Sequence, residues 1–508
     1  MRTVVKVLVG AGLVVAAGVG ACVLLLPARF VVNAPVRHLI FGHGIEAPPE
    51  DAVLTRLRPP SGWKVQRFAA ELPNARFMRF TPGGGLLVSQ PRSGEVVLLE
   101  PDRDGDGASD GRRVVVKGLD RPHGIDLHEG WLYVAESGAV GRIRFDGEAG
   151  TTEGAFERVV EGLPEGGNHW TRTIGFSPDG WLYVSIGSSC NVCWEQDPRR
   201  ATIVRYRPNG SDEEIYATGL RNAVGFDWRP ADGELYATDN GRDLLGDDFP
   251  PCELNRIEKG GFYGWPVANG DKVPDPDLGA GHEEKIASSI PPVHHFRAHN
   301  APLGIVFVTG DELPEEYRGA ALVALHGSWN RTRKDGYEVV SLHWREGQIE
   351  ERPFLTGFLG ATDDDVIGRP VDVAQGPDGA VYVSDDYAGS VYRVSYGASA
   401  GTGGAAAGSG SGGSTPPDGS GGAAAPRASS ERVDHGRELW SENGCAVCHD
   451  PEKPVEGMVV RPLEGLAKRY DVDSLAVYLA TPNPPMPVYD LPLAEREALA
   501  AYLLRTHP

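Results

Sequence analysis

Methionine and cysteine are scarce in this chain, four and six among 508 residues. Six cysteines are too few to frame a disulfide scaffold of this length. Cationic side chains are also in deficit, 49 against 70 acidic ones. The resulting formal charge of −21 argues against nucleic acid or an anionic lipid surface as partner. Runs of helical periodicity are missing from the body of the chain. What abounds is glycine and proline, 67 and 40 residues, set in frequent short turns that suit an all-β body. The length exceeds one ordinary core, so two or three domains are expected.

Two of the few cysteines stand in Cys445-Ala446-Val447-Cys448-His449. Two thiols three residues apart, followed at once by histidine, are the attachment site of one covalent c-type haem. His449 supplies the proximal imidazole, and the other axial ligand must be a thioether or a second imidazole. The candidates are Met1, Met78, Met458 and Met486. Met486, in the proline-stiffened NPPMPVYDLP loop before an amphipathic run, is the expected ligand, with Met458 as its rival. Residues 431–508 resemble a small all-α class I cytochrome c. They hold a first helix entering the haem motif, SLAVYLATP, the methionine loop and a closing helix.

The first 30 residues pair a basic start with an apolar run over residues 7–27, which reads as an export signal or an uncleaved membrane anchor. Val19-Gly20-Ala21-Cys22 also matches a lipoprotein cleavage box, although the apolar run continues past it. Each alternative puts the body outside the cytoplasm, in the periplasm, where c-type haem is attached. Residues 398–430 are glycine, serine and alanine with little else, a flexible linker with a root-mean-square reach of roughly 30 Å.

Between residues 51 and 397 one phrase recurs: GGLLVSQ, GWLYVAE, GWLYVSI, GELYATD and GAVYVSD, starting at Gly84, Gly130, Gly180, Gly233 and Gly379. ALVALHG from Ala321 is a degenerate sixth copy. Steps between Leu86, Leu132, Leu182 and Leu235 are 46, 50 and 53 residues, then 87 to Leu322 and 59 to Val381. Units of about 50 residues suit four-stranded blades. The chain is therefore expected to form an all-β six-bladed β-propeller with an insertion near residues 240–300. Functional groups of a propeller sit on loops around one mouth of its channel.

Four loop motifs gather there: GNHWTR with His169, GLRN with Arg221 and Asn222, DNGRD with Gly241 and Arg242, and IGRPVD with Arg369. Arginine forks match carboxylates, imidazole can take a hydroxyl proton, and carbonyl-rich turns suit Ca²⁺.

The stretches GGNHWTRTIGFSPDGWLYVSIG, GLRNAVGF and DNG…ELNRIEKGGFYGWP resemble the soluble quinoprotein glucose dehydrogenases and the L-sorbosone dehydrogenase group. The resemblance spans about residues 72–394. It implies a propeller that binds pyrroloquinoline quinone (PQQ) with Ca²⁺ and oxidises a small sugar. It also implies His169 as general base, Arg221 facing the quinone, Asn222 holding the cofactor, and the carbonyls of Gly241 and Arg242 as calcium ligands. Arg369 matches the first of two cofactor arginines, and Val371 stands where the second would be. The family's cofactor lysine has no clean counterpart; Asn330 and Arg331 lie nearest. With the haem tail, electrons would pass on to a downstream periplasmic acceptor. Two rival readings are a calcium-dependent propeller lactonase, which the appended haem argues against, and a non-catalytic sugar-binding propeller.

Two further features stand apart. Asp102, Asp104, Asp106 and Asp110 alternate with Gly107 at the sixth position and read as a calcium loop. Arg113 at the twelfth position excludes an EF-hand. Cys190 and Cys193 read as a small disulfide, with a redox role for the pair or pairing of one of them with Cys252 left open, and His123 is expected to face the channel.

Overall fold

The computed structural model describes residues 45–310, 312–362, 365–397, 430–442, 445, 449, 463, 465–468, 470–479 and 491–507. The chain divides into two compact units, Met1–Gly403 and Gly404–Pro508. The first contains six four-stranded antiparallel sheets, the six blades expected.

Each repeated phrase forms the second strand of a blade: Leu86–Gln90, Trp131–Ala135, Leu182–Ile186, Leu235–Asp239, Ala321–Leu325 and Val381–Asp385. These strands are almost wholly buried because neighbouring blades cover both their faces. That is why the phrase is a continuous apolar run instead of an alternating one. The glycine before each phrase takes a positive φ, from 74° to 81°, a turn conformation that side chains resist. The degenerate copy at Ala321 keeps its turn glycine as Gly319, φ 76°.

The ring closes by a strand that the repeats do not announce. Trp63–Ala69 pairs antiparallel with Ser390–Tyr396, completing the last blade with an N-terminal strand. Trp63 packs edge-on against Tyr317 and Phe354, at 5.3 and 5.1 Å between ring centroids. Closure of this kind leaves no open edge between the first and last blades. The expected insertion turns out to be half blade. It contributes the strands Cys252–Ile257 and His294–Phe296, and only the Ala268–Asn269/Val273–Pro274 hairpin and the helix Glu283–Ser288 are additional.

Innermost strands meet at the axis. Phe77, Val224, Leu303 and Val371, from four blades, form one buried apolar cluster. The fully buried His123 ring lies 4.5 Å from that of Phe77. Carboxylates fasten neighbouring blades: Asp126, Asp227 and Asp372 accept the backbone N–H of Phe176, Phe307 and Met78, each at 2.8 Å.

In the second unit the described residues are helical: Ser430–Glu442, Val472–Tyr478 and Leu493–Thr506, with a 3-10 turn at Leu466–Lys468. Leu439, Leu475, Leu479, Leu499 and Leu503 share its core. A Cβ on Gly436 would lie 2.0 Å from the Ala498 carbonyl, so the first and last helices touch backbone to backbone. Among the described residues no helix is long and apolar enough to cross a membrane; the apolar N-terminal segment lies outside them.

Candidate active site

In a four-stranded antiparallel blade, the loop after the second strand and the loop leading into the next blade emerge on the same face. His169 and Arg221 lie on loops of the second kind; Asn240, Gly241 and Trp329 lie on loops of the first. They converge on a cavity of about 390 Å³ lined by Asn168, His169, Arg221, Asn222, Asn240, Gly241, Asp243, Cys252, His299, Ala301, Leu303 and Trp329. Its floor residue, Leu303, belongs to the axial cluster. The volume falls within the range of small-molecule sites.

His169 Nδ1 lies 2.9 Å from the Ser188 carbonyl and 3.0 Å from Ser188 Oγ. A carbonyl only accepts, and Ser188 Oγ spends its own proton on the Cys190 carbonyl (2.7 Å). These partners assign the ring proton to Nδ1 and leave Nε2 with its lone pair. Burial, and then the Arg221 charge, lower the imidazole to about 3, so it is neutral in near-neutral water. Two arginines hold the His169 backbone. Arg172 Nη1 and Arg200 Nη1 both donate to its carbonyl, at 3.1 and 3.4 Å. Arg172 is itself lowered to about 9 by burial and by Arg200.

Arg221 is saturated. Nε donates to the Asn191 carbonyl (3.0 Å), and Nη1 to the carbonyls of Asn240 (3.0 Å) and Gly241 (2.9 Å). Nη2 donates to Asn191 Oδ1 (2.9 Å) and Asp243 Oδ2 (2.7 Å). These five acceptors match the five N–H donors of a guanidinium. Asp239 fixes the backbone beneath, accepting from the N–H of Arg221 (2.9 Å) and of Asn222 (2.6 Å). Burial holds the Asp239 carboxyl up at about 7 and that of Glu253 at about 8. Cys252, whose thiol burial raises to about 11, also lines the cavity.

Bonding capacity remains within this wall. Asn240 Oδ1 and His299 Nδ1 are buried without a hydrogen-bond partner, and both residues line the cavity. Such atoms normally meet water or a ligand.

Other expected residues are placed nearby or elsewhere. Arg242 is not in the cavity lining; its guanidinium grips Asp275 (2.7 Å) and Asp277 (2.9 Å). Arg369 Nε and Nη2 donate to the carbonyls of His326 and Gly327, both at 3.1 Å. Asn330 is buried, with neither side-chain polar atom paired. Arg331 donates to the carbonyls of Asp247 and Ala298 and to Asp248. His123 is on the axis but outside the cavity lining, bonded to Arg76.

Asp102, Asp104 and Asp110 bring carboxylate oxygens within 4.8 Å of one another. Asp106 is turned away, accepting from the Ala108 N–H. This loop joins the third and fourth strands of the first blade, so it lies on the face opposite the cavity. Cys190 and Cys193 form a disulfide. In the second unit Cys445 is buried and its carbonyl accepts from the His449 N–H at 3.2 Å. Cys448 and Met486 lie outside the described residues.

Residues 72–393 match the family model Glucose / Sorbosone dehydrogenase. The chain belongs to this family. An uncharacterized protein of Borreliella burgdorferi is 39% identical over 220 residues, covering 42% of this chain and 57% of its own length. The chain thus spans little more than half of that curated relative. The aldose sugar dehydrogenase YliI of Escherichia coli is 26% identical over 301 residues, 52% of this chain and 72% of the relative. Among solved structures, the holo form of the pyranose dehydrogenase PQQ domain from Coprinopsis cinerea superposes with a TM-score of 0.56. It is 21% identical and covers 69% of this chain and 98% of that one. At that identity the likeness carries the propeller fold alone.

Sequence reasoning overlooked Ser188, Asn191, Arg200 and Asp243 as site residues. The available signals were proximity alone: Asp243 closes the DNGRD motif, Asn191 lies between the two cysteines read as a disulfide, and Arg172 ends the GNHWTR motif.

Proposed function

We propose that this chain is an exported sugar dehydrogenase that works at PQQ and sends its electrons to a covalent haem c in its own tail. The observation that carries the reading is the shared cavity of His169 and Arg221 above the axial cluster. The family membership and the PQQ in the name of a sequence relative, the pyranose dehydrogenase of Coprinopsis cinerea, support the choice of cofactor. The residues present fit that group: the cavity is large enough, a guanidinium stands in its wall, and Asn240 Oδ1 has unspent bonding capacity.

When bound, the quinone supplies a two-electron sink for a carbon carrying a hydroxyl. The chain's own residues do the rest. His169 Nε2 takes the hydroxyl proton, its ring held by Ser188. With all five donors engaged, Arg221 favours developing negative charge through its field and offers no new hydrogen bond. Asn222, Asn240 and Gly241 would hold the cofactor and its Ca²⁺. Cys445 and Cys448 would carry the haem and His449 and Met486 would hold its iron, which would supply a one-electron acceptor. The linker would keep haem concentration near the propeller high without fixing one pose. The N-terminal segment would attach the protein outside the cytoplasm, where a further cytochrome or oxidase takes the electrons.

Purified full-length protein should show a c-type haem spectrum, and sugars should reduce that haem only after PQQ and Ca²⁺ are added. Haem reduction by sugar without the quinone, or none with it across a panel of aldoses, refutes the proposal. Lactone cleavage in its place would favour a hydrolase.

A further inference from the structure

Two of the five acceptors around Arg221 belong to one residue that the mechanism does not use. Asn191 takes Nε on its carbonyl and Nη2 on Oδ1. The same Oδ1 accepts the Asp243 N–H (2.8 Å), while Nδ2 donates to the Asp243 carbonyl (3.0 Å). The Trp265 indole adds a bond of 3.3 Å to the Asn191 carbonyl. Asn191 therefore holds both the guanidinium and the backbone of its counter-ion. It also lies inside the four-residue ring closed by Cys190 and Cys193.

This ring is tied to the base as well. Ser188 Oγ, which accepts from His169 Nδ1, is anchored on the Cys190 carbonyl. Ser188 N–H donates to the Arg221 carbonyl (2.8 Å), and Asn168 N–H to the Ser189 carbonyl (2.8 Å). Glu195, just beyond the ring, accepts from Ser189 N (2.6 Å) and Oγ (2.8 Å). One short loop thus spans the His169 and Arg221 walls of the cavity.

We infer that the Cys190–Cys193 disulfide is a positioning clip: it fixes Asn191, and through Asn191 the place of Arg221 relative to His169. Opening the clip consumes two electrons and two protons, which a dithiol supplies by exchange, leaving two thiols and a cyclic disulfide. The freed Cys190–Cys193 segment then samples many conformations, and two of Arg221's five acceptors drift. The remaining thiol of the cavity, Cys252, stays protonated and is a poor nucleophile, so it does not capture the opened pair. The inference rests on the proposed roles of His169 and Arg221, yet its principal test does not require sugar oxidation.

That test is the titration of the His169 imidazole, followed by NMR in protein with labelled histidines and assigned through His169→Asn. Arg221, Arg200 and Arg172 are the charged groups that lower it, and Asp243, His299 and Cys252 share its cavity. Reduction with dithiothreitol, verified by mass spectrometry at Cys190 and Cys193, should move the midpoint upward as the Arg221 charge loses its fixed place. Cys190→Ser/Cys193→Ser and Asn191→Ala should reproduce that shift, and the double variant should no longer respond to the dithiol. Where sugar oxidation is measurable, kcat/KM should fall at least about tenfold with a matching shift of its acid limb. An unchanged midpoint in reduced, folded protein overturns the inference, whether or not the chain oxidises sugars. So does a shift seen with dithiol but absent from both variants. Absence of sugar oxidation alongside the expected shift would sink the dehydrogenase reading and leave the clip standing.

Discussion

Arg221→Gln offers the most demanding test of how the cavity wall is built. The ion pair with Asp243 has an N–O distance of 2.7 Å, and the side chains are 5% and 19% exposed. At an effective dielectric of about 20, two unit charges that close attract by roughly 6 kcal/mol. Desolvation and the remaining solvent contact reduce the net value, and breaking such a pair from one side costs about 3–5 kcal/mol. Three backbone carbonyls, those of Asn191, Asn240 and Gly241, lose their donors at the same time. At about 2 °C per kcal/mol for a domain of this size, the propeller's melting transition should fall by roughly 6–10 °C. Removing the stranded charge with Arg221→Gln/Asp243→Asn should restore part of that loss, so the two substitutions will not add. Differential scanning calorimetry of the three proteins at one pH reads both effects. A single variant that melts within about 1 °C of wild type, or a double variant that loses the sum of the two singles, would refute this account of the wall. The same substitution carries a pH signature. Protonation of His169 is opposed by burial first and by the Arg221 charge second. Taking that charge away makes protonation easier, so the acid limb of kcat/KM should move to higher pH.

Three other outcomes are expected. His169→Asn should lower kcat by about 10²–10⁴ with little change in KM, the usual loss when a positioned base is removed; steady-state kinetics on the loaded enzyme would read it. Gly187→Ala would place a Cβ 2.5 Å from Asn222 Oδ1 and 2.7 Å from His169 Cβ. It should therefore cut kcat/KM sharply while shifting the urea midpoint less than Arg221→Gln does. Asp372→Ala leaves the Met78 N–H buried without its acceptor at the seam between last and first blades. It should cost about 1–3 kcal/mol in urea unfolding with the slope unchanged.

The blade count was legible because the second strand of every blade is buried on both faces and opens on a left-handed glycine, so selection on packing writes the same phrase six times. The closing strand Trp63–Ala69 was not: it follows a left-handed glycine, Gly62, but lies more than 300 residues from the strand it pairs with, and only the sheet register reveals that partner. His169, Arg221 and Asn222 were legible because they flank the repeated strands in short motifs, and the fold brings all three to one cavity. For Arg242 the expectation concerned its backbone carbonyl; what the motif could not show is that Asp275 and Asp277 from the inserted hairpin region hold its side chain, because the course of that insertion has no repeat to reveal it. Asn191 escaped notice for a related reason. Its importance lies in five hydrogen bonds made across 30 to 74 residues of chain, and a motif search sees only neighbours.

The apolar knot of Phe77, Val224, Leu303 and Val371 joins four blades at the propeller axis. Leu303 belongs both to that knot and to the cavity wall, so the cavity rests directly on it. On the dehydrogenase reading proposed above, the sugar would reach and leave the cavity from the side away from the knot, before the electrons are collected. An enzyme so constructed should show alternating, ping-pong kinetics and inhibition when either visitor is in large excess.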